Sequence, residues 1–207
     1  PQAIAFNGNG EKMFVLHNLT SGGASSDFDR VEEYDLDTGF DISASSISSI
    51  QATKIVKAQE TAPRGLAFNN DGTKMFVVGT EDNKIHEYTL STGFDLSSTV
   101  NFIDSLSVNS QDTDPQSVAF NNDGTKMFVV GNAGDDVNEY TLSTGFDLSS
   151  TVNFIDSLSV NSQDTDPQSV AFNNDGTKMF VVGNAGDDVN EYTLTTGFDV
   201  SSASFVD

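Results

Sequence analysis

Residues 87–142 recur without a single substitution as residues 139–194, a 56-residue identity at an offset of 52. No other feature constrains the fold so tightly. A unit that follows its own copy meets its own chemistry at the boundary, so it must bury its apolar surface against a neighbour of the same design. Prolines at 1, 63, 115 and 167 keep the phase, with spacings of 62, 52 and 52 residues. A period near 50 restricts the architecture to a solenoid, a propeller or an array of small domains. The phrase VAFNNDGTKMFVV, Val118–Val130, returns intact at Val170–Val182, with one change at Leu66–Val78 and more loosely at Ile4–Leu16.

Within Pro115–Asp166 the pattern reads as four strands: QSVAFN, KMFVVG, VNEYTL and TVNFIDSLSV. They are separated by NDGT, NAGDD and STGFD, and the polar loop NSQDTD leads to the next proline. Aromatic and β-branched residues between Gly, Asp and Asn breaks favour strands over helices. MFVV is apolar at four consecutive positions, as expected for a strand covered on both faces. The last strand alternates instead: Val152, Phe154, Leu158 and Val160 share one parity, and Asn153, Ser157 and Ser159 the other, which predicts a half-exposed strand. Inner strands covered on both sides beside a wetter outer strand describe a propeller blade wedged between neighbours.

The phrase P-x-x-[LIV]-A-F-N-x-[DN]-G-x-K-M-F-V-[VL], followed by EYTLSTGFDLSS, resembles highly repetitive bacterial and phage β-propellers of the broad group with YVTN-, NHL- and WD40-type blades. The resemblance runs over essentially the whole chain. It implies fold more than function, because that group includes adhesins, scaffolds, lactonases and surface-layer proteins. The GH…WD signature of true WD40 blades is absent, the chain has no Trp, and no residues map onto the catalytic or metal sites of lactonase-like enzymes. The expectation is an all-β chain: a β-propeller of four four-stranded antiparallel blades at 1–62, 63–114, 115–166 and 167–207. It would close as a four-bladed ring, form half of an eight-bladed ring shared by a homodimer, or belong to a longer array. The chain opens on Pro1, in phase with the repeat and without a leader, which reads as a trimmed or excised piece.

Asp-Gly between two apolar strands is a hairpin signal, since Asp and Asn tolerate left-handed φ and Gly supplies it freely. NNDG is therefore read as a turn. The rival is calcium held by Asp71, Asp123 and Asp175. Calcium takes about six to eight oxygens, each turn offers one carboxylate, and Asn9 stands at this position in the first copy. The lysine after each turn (Lys12, Lys74, Lys126, Lys178) is expected to pair locally with the turn aspartate or with Glu139 and its counterparts.

The chain carries a formal charge of −22, which argues against nucleic acid and against anionic membrane surfaces. No apolar run is long enough for a membrane span. Such charge suits salty surroundings and divalent cations. Strand direction reverses at each turn, so the loops before the first strand and after the second emerge on one face. There Asp112 and Asp114 approach Asp135 and Asp136, and Asp164 and Asp166 approach Asp187 and Asp188. These eight are the candidate cation- or ligand-binding residues, with Ca2+ the candidate ion. On this face the first blade has the longer segment HNLTSGGASSDFDRVEEY, including the sequon Asn18-Leu19-Thr20, read as incidental.

No catalytic set emerges. His17 and His86 lie in different blades at different positions, and Asn138 and Asn190 replace His86 in the later copies, which fits an exposed site better than a zinc ligand. The serines have no His-Asp partners and no nucleophile elbow, and there is no phosphate loop. Met13, Met75, Met127 and Met179 read as core. Phe40, Phe94, Phe146 and Phe198 are expected to plug the corner before the fourth strand against the next blade. The functional expectation is a non-enzymatic extracellular, cell-surface or virion-associated module, structural or adhesive, binding a glycan or other cell-surface ligand. The alternative is a lactonase-like propeller hydrolase with a metal held by the acidic loops.

Overall fold

A computed structural model describes residues 1–19, 29–43 and 45–207. Most of the long loop of the first blade, and Thr20 of the sequon, lie outside the described residues. The fold is an all-β propeller of four four-stranded antiparallel blades. Blade 1 comprises β1 (Ala3–Phe6), β2 (Lys12–His17), β3 (Arg30–Leu36) and β4 (Ile47–Ile55). Blade 2 comprises β5 (Pro63–Phe68), β6 (Lys74–Gly79), β7 (Lys84–Leu90) and β8 (Val100–Ser107). Blade 3 comprises β9 (Pro115–Phe120), β10 (Lys126–Gly131), β11 (Asp136–Leu142) and β12 (Val152–Ser159). Blade 4 comprises β13 (Pro167–Phe172), β14 (Lys178–Gly183), β15 (Val189–Leu194) and β16 (Ala203–Phe205), with a 3₁₀ turn at Val200–Ser202. Every sheet runs in chain order, because each connection is short enough to return the chain beside the strand it has just left.

The chain forms two compact units: Pro1–Glu81 with His86–Asp104, and Asp82–Ile85 with Ser105–Asp207. In the first, Phe14, Leu16 and Val31 of blade 1 pack against Leu66, Met75, Val77, Tyr88 and Leu90 of blade 2. In the second, Phe128, Val130 and Val137 of blade 3 pack against Val170, Met179, Val181, Tyr192 and Leu194 of blade 4. One side of a blade thus carries the second-strand Phe and its neighbours, and the other carries the Met and the third-strand Tyr. This explains the unbroken MFVV run: Phe128 and Val130 face the junction with blade 4, Met127 and Val129 point to the other side of the strand, and all four are fully buried. Each such side chain removed from water contributes about 1.5–3 kcal/mol.

Two expectations change. The outer strand does not keep a single parity. Asp156 pairs with Glu139 but Phe154 with Tyr140, so Ile155 is an extra residue in a bulge. The bulge flips the alternation: Val152 and Phe154 lie opposite Leu142 and Tyr140, whereas Leu158 lies opposite Val137. The corner phenylalanines also point elsewhere. Phe40, Phe94, Phe146 and Phe198 all have φ near +60°, a conformation that costs a non-glycine residue about 1–2 kcal/mol. It places each ring over the first hairpin of its own blade. Phe146 N–H donates to the Gly124 carbonyl at 3.0 Å, and a Cβ on Gly124 would lie 2.2 Å from the ring. Phe94 and Phe198 also touch Phe14 and Phe128, of the preceding blade rather than the next.

Candidate functional site

The hairpin between the first two strands satisfies itself. The Asn121 side chain accepts Lys126 N–H at 2.9 Å. The Asp123 carboxylate accepts the Thr125 N–H at 3.0 Å and the Thr125 hydroxyl at 2.5 Å. Asp71 and Asp175 make the same pair of bonds to Thr73 and Thr177. The threonine hydroxyl and then its amide hold all three carboxyls below the ordinary aspartate range. In the first copy Asn9 accepts Glu11 N–H at 3.1 Å instead. A neutral amide replaces the acid because the job is to accept an N–H. The glycines that follow, Gly10, Gly72, Gly124 and Gly176, have φ of 70–74°.

On the opposite face the acids stitch loops together. Asp112 and Asp164 are buried, as is Glu60 at the same place in blade 2. Alignment on the prolines would have found Glu60, since each acid stands three residues before Pro63, Pro115 or Pro167. Each lies against the glycine that ends the second strand: a Cβ on Gly79, Gly131 or Gly183 would come within 2.4 Å of Glu60, Asp112 or Asp164. Asp112 accepts Asp114 N–H at 2.6 Å. Asp164 accepts Asp166 N–H at 2.7 Å and Gly186 N–H at 3.3 Å. Glu60 accepts Ala62 N–H at 2.7 Å and Glu81 N–H at 3.3 Å. Burial pushes the Asp112 carboxyl above its ordinary range, against the pull of the Asp114, Ala133 and Gly134 amides.

Most of the remaining candidates are also engaged. Asp114 and Asp166 accept from the side chains of Gln116 and Gln168 at 2.8 and 2.6 Å. Asp135, at φ 52°, accepts from Asn161 Nδ2 at 2.6 Å while its carbonyl accepts Val160 N–H at 2.8 Å. Asp188 accepts from Asn190 Nδ2 at 3.0 Å. Asp136 is raised by burial and then by the neighbouring Asp135 charge. Asp187 is exposed at φ 55°. Among the described residues, no three of these eight acids bring one ligand atom each within 4.8 Å of one another. Beside each buried acid a tyrosine hydroxyl reaches a glutamine: Tyr88 to Gln59, Tyr140 to Gln111 and Tyr192 to Gln163, at 3.4, 3.3 and 3.2 Å. Burial raises all three phenols, with Tyr192 pushed up to about 12.

His86 is buried, not exposed, and so are Asn138 and Asn190 in its place. This position shares a face of the third strand with Tyr88, Tyr140 and Tyr192, and that face is buried in all three blades, so a polar residue here lies in the interior. The His86 imidazole Nε2 lies 3.8 Å from Glu60 Oε2, with both side chains almost fully inaccessible. In blade 1, His17 Nε2 stands 3.0 Å from Glu32 Oε2, and burial lowers its pKa. The four turn lysines each find the glutamate of the third strand. Lys12 pairs with Glu33, Lys74 with Glu87 at 2.7 Å, Lys126 with Glu139 at 2.6 Å and Lys178 with Glu191 at 2.5 Å.

No family model matches the chain, and no curated protein does. Solved structures do. A protein from Lactobacillus plantarum aligns with 99% of this chain and 53% of its own, at 15% identity and a TM-score of 0.62. The periplasmic gluconolactonase of Pseudomonas aeruginosa aligns over 99% and 51%, at 13% identity and 0.56. A protein assigned as a 6-phosphogluconolactonase from Bacteroides fragilis aligns over 100% and 57%, at 11% identity and 0.58. The chain spans about half the length of each of these three. At such identities the likeness shows fold alone, and it agrees with the strand pairing: the chain is a β-propeller of four four-stranded blades.

Proposed function

We propose that the propeller is a non-enzymatic binding module. The observation that carries this reading is repetition at the level of side-chain geometry. The buried acid, the tyrosine–glutamine pair and the loop amides recur at matching places in blades 2, 3 and 4. Copies of one environment present several equal, weak sites, which gain by avidity. An acid–base catalyst requires two groups in different environments. An exposed glycan or other cell-surface ligand, with calcium as bridging ion, fits an acidic surface of this kind in an extracellular or virion setting.

A second reading is a lactonase-like hydrolase, and the solved relatives named as lactonases favour it over the first. One internal feature supports it as well. Blade 2 alone places an imidazole, His86, beside the buried acid, where blades 3 and 4 have Asn138 and Asn190. One pair of measurements separates the readings: a glycan array in millimolar calcium and in chelator, and hydrolysis of a gluconolactone by the chain and by His86→Ala. Calcium-dependent glycan capture that survives His86→Ala, with no hydrolysis, supports the binding module. Hydrolysis lost in His86→Ala, with an empty array, replaces it with the enzyme.

A further inference from the structure

Between blades 3 and 4 the junction is held by more than apolar contact. Glu139 Oε2 accepts the backbone N–H of Val200 at 2.9 Å, and Lys126 Nζ donates to the carbonyl of Phe198 at 2.6 Å. Between blades 1 and 2, Glu33 Oε2 accepts Leu96 N–H at 2.6 Å. Each of these two junctions therefore has a donor face, with second-strand Phe and third-strand Glu, and an acceptor face, with the next blade's Met, Tyr and corner turn.

Blade 4 carries the donor face again, since residues 179–194 repeat 127–142, but it stands uncovered. Val182 and Val189 are 39% and 61% exposed, whereas Val130 and Val137 are fully buried. Phe180, Val189 and Glu191 line a hollow there. Blade 1 shows the converse. Ile4 is 55% exposed where Val170 is 5%, and Ile42, at the corner position of Leu96 and Val200, is 62% exposed where they are 5% and 0%. Ile4 and Val15 line a second hollow.

We propose that these two faces take each other from different molecules: the donor face of blade 4 seats on blade 1 of a second copy of this chain, and reciprocally. Sequence identity makes the internal junction the template. Glu191 accepts the N–H of Ile42 of the second copy, and Lys178 donates to the carbonyl of its Phe40. The interface is heterologous, so it must close or propagate. Closure after two copies gives eight blades, within the usual range of about four to eight, and matches the solved propellers, which are about twice this chain's length.

The test is solution mass by light scattering on the 207-residue chain, at about 0.15 M and about 1 M salt, because a charge of −22 per copy opposes association until screened. The expected mass is twice 22.1 kDa. Val189→Asp and, on the opposite face, Ile42→Asp should each return it to 22.1 kDa with an unchanged far-ultraviolet spectrum. Glu191→Ala should weaken the pair about a hundredfold or more, because a closed pair has two such junctions and loses one charge-assisted bond, about tenfold or more, at each. A mass of 22.1 kDa for the unmodified chain at every soluble concentration overturns the proposal and assigns the faces to further blades of a longer polypeptide or to another protein. So does a ladder of three or more copies, or a pair that persists in Ile42→Asp. If Val189→Asp unfolds, Ile42→Asp decides alone, since its corner turn is already exposed.

Discussion

Glu139 spans a blade junction, accepting Val200 N–H with one oxygen and Lys126 Nζ with the other. Glu139→Ala strands a buried amide and removes the charged partner of a part-buried lysine, which keeps the Phe198 carbonyl. Breaking a buried pair from one side costs about 3–5 kcal/mol. Urea denaturation should show that loss as a lower midpoint at unchanged slope, with Glu139→Gln losing less because an amide oxygen still accepts from Val200.

Gly124→Ala meets two obstacles: φ of +71° and a ring carbon of Phe146 2.2 Å from the new Cβ. The substitution should destabilise by about 2 kcal/mol or more, of which about 1–2 belongs to the backbone. Phe146→Ala removes the steric part only. The double variant should therefore be less destabilised than the sum of the singles, by at least about 0.5 kcal/mol in a thermodynamic cycle.

Asp123 has a depressed carboxyl because Thr125 donates to it by hydroxyl and amide. A depressed folded-state value means stabilisation that is complete above the unfolded aspartate pKa, near 4, and lost as pH falls through the folded value. Thr125→Val removes the hydroxyl bond and leaves the amide. The Asp123 carboxyl should then titrate at higher pH in a carbon-detected NMR titration, and acid unfolding should begin at higher pH. Asp112 works in the opposite sense: burial raises it, so its ionisation opposes folding as pH rises.

The charge of −22 leaves long-range repulsion that monovalent salt screens. Thermal midpoints should rise from low salt to about 1 M sodium chloride, and calorimetry would show it. Calcium at matched ionic strength should add a further increment if the acidic loops hold it, and none if they do not.

The fold was legible because the repeat length, the unbroken MFVV run and the Asp-Gly turns point to one architecture. The site was less legible for reasons of geometry. Asp112 and Asp164 read as solvent-facing ligands, yet a glycine at the end of the second strand lets each sink beneath it and bind loop amides. His86 read as exposed because Asn replaces it, but the pocket accepts either polar side chain. The bulge at Ile155 is silent in the hydrophobic pattern, since Phe154 and Ile155 are both apolar and both exposed. Corner phenylalanines at positive φ are likewise invisible to propensity, which assigns that conformation to glycine and asparagine.

Each blade places one tyrosine on its third strand (Tyr34, Tyr88, Tyr140, Tyr192), and the chain has no tryptophan to outshine them. Tyr34 donates to the carboxylate of Glu32 at 2.6 Å, the other three to a glutamine. The protein thus carries one ultraviolet reporter per blade. Replacing three of the four by phenylalanine would leave a chain whose tyrosine emission tracks a single blade, and four such chains would show which blade opens first.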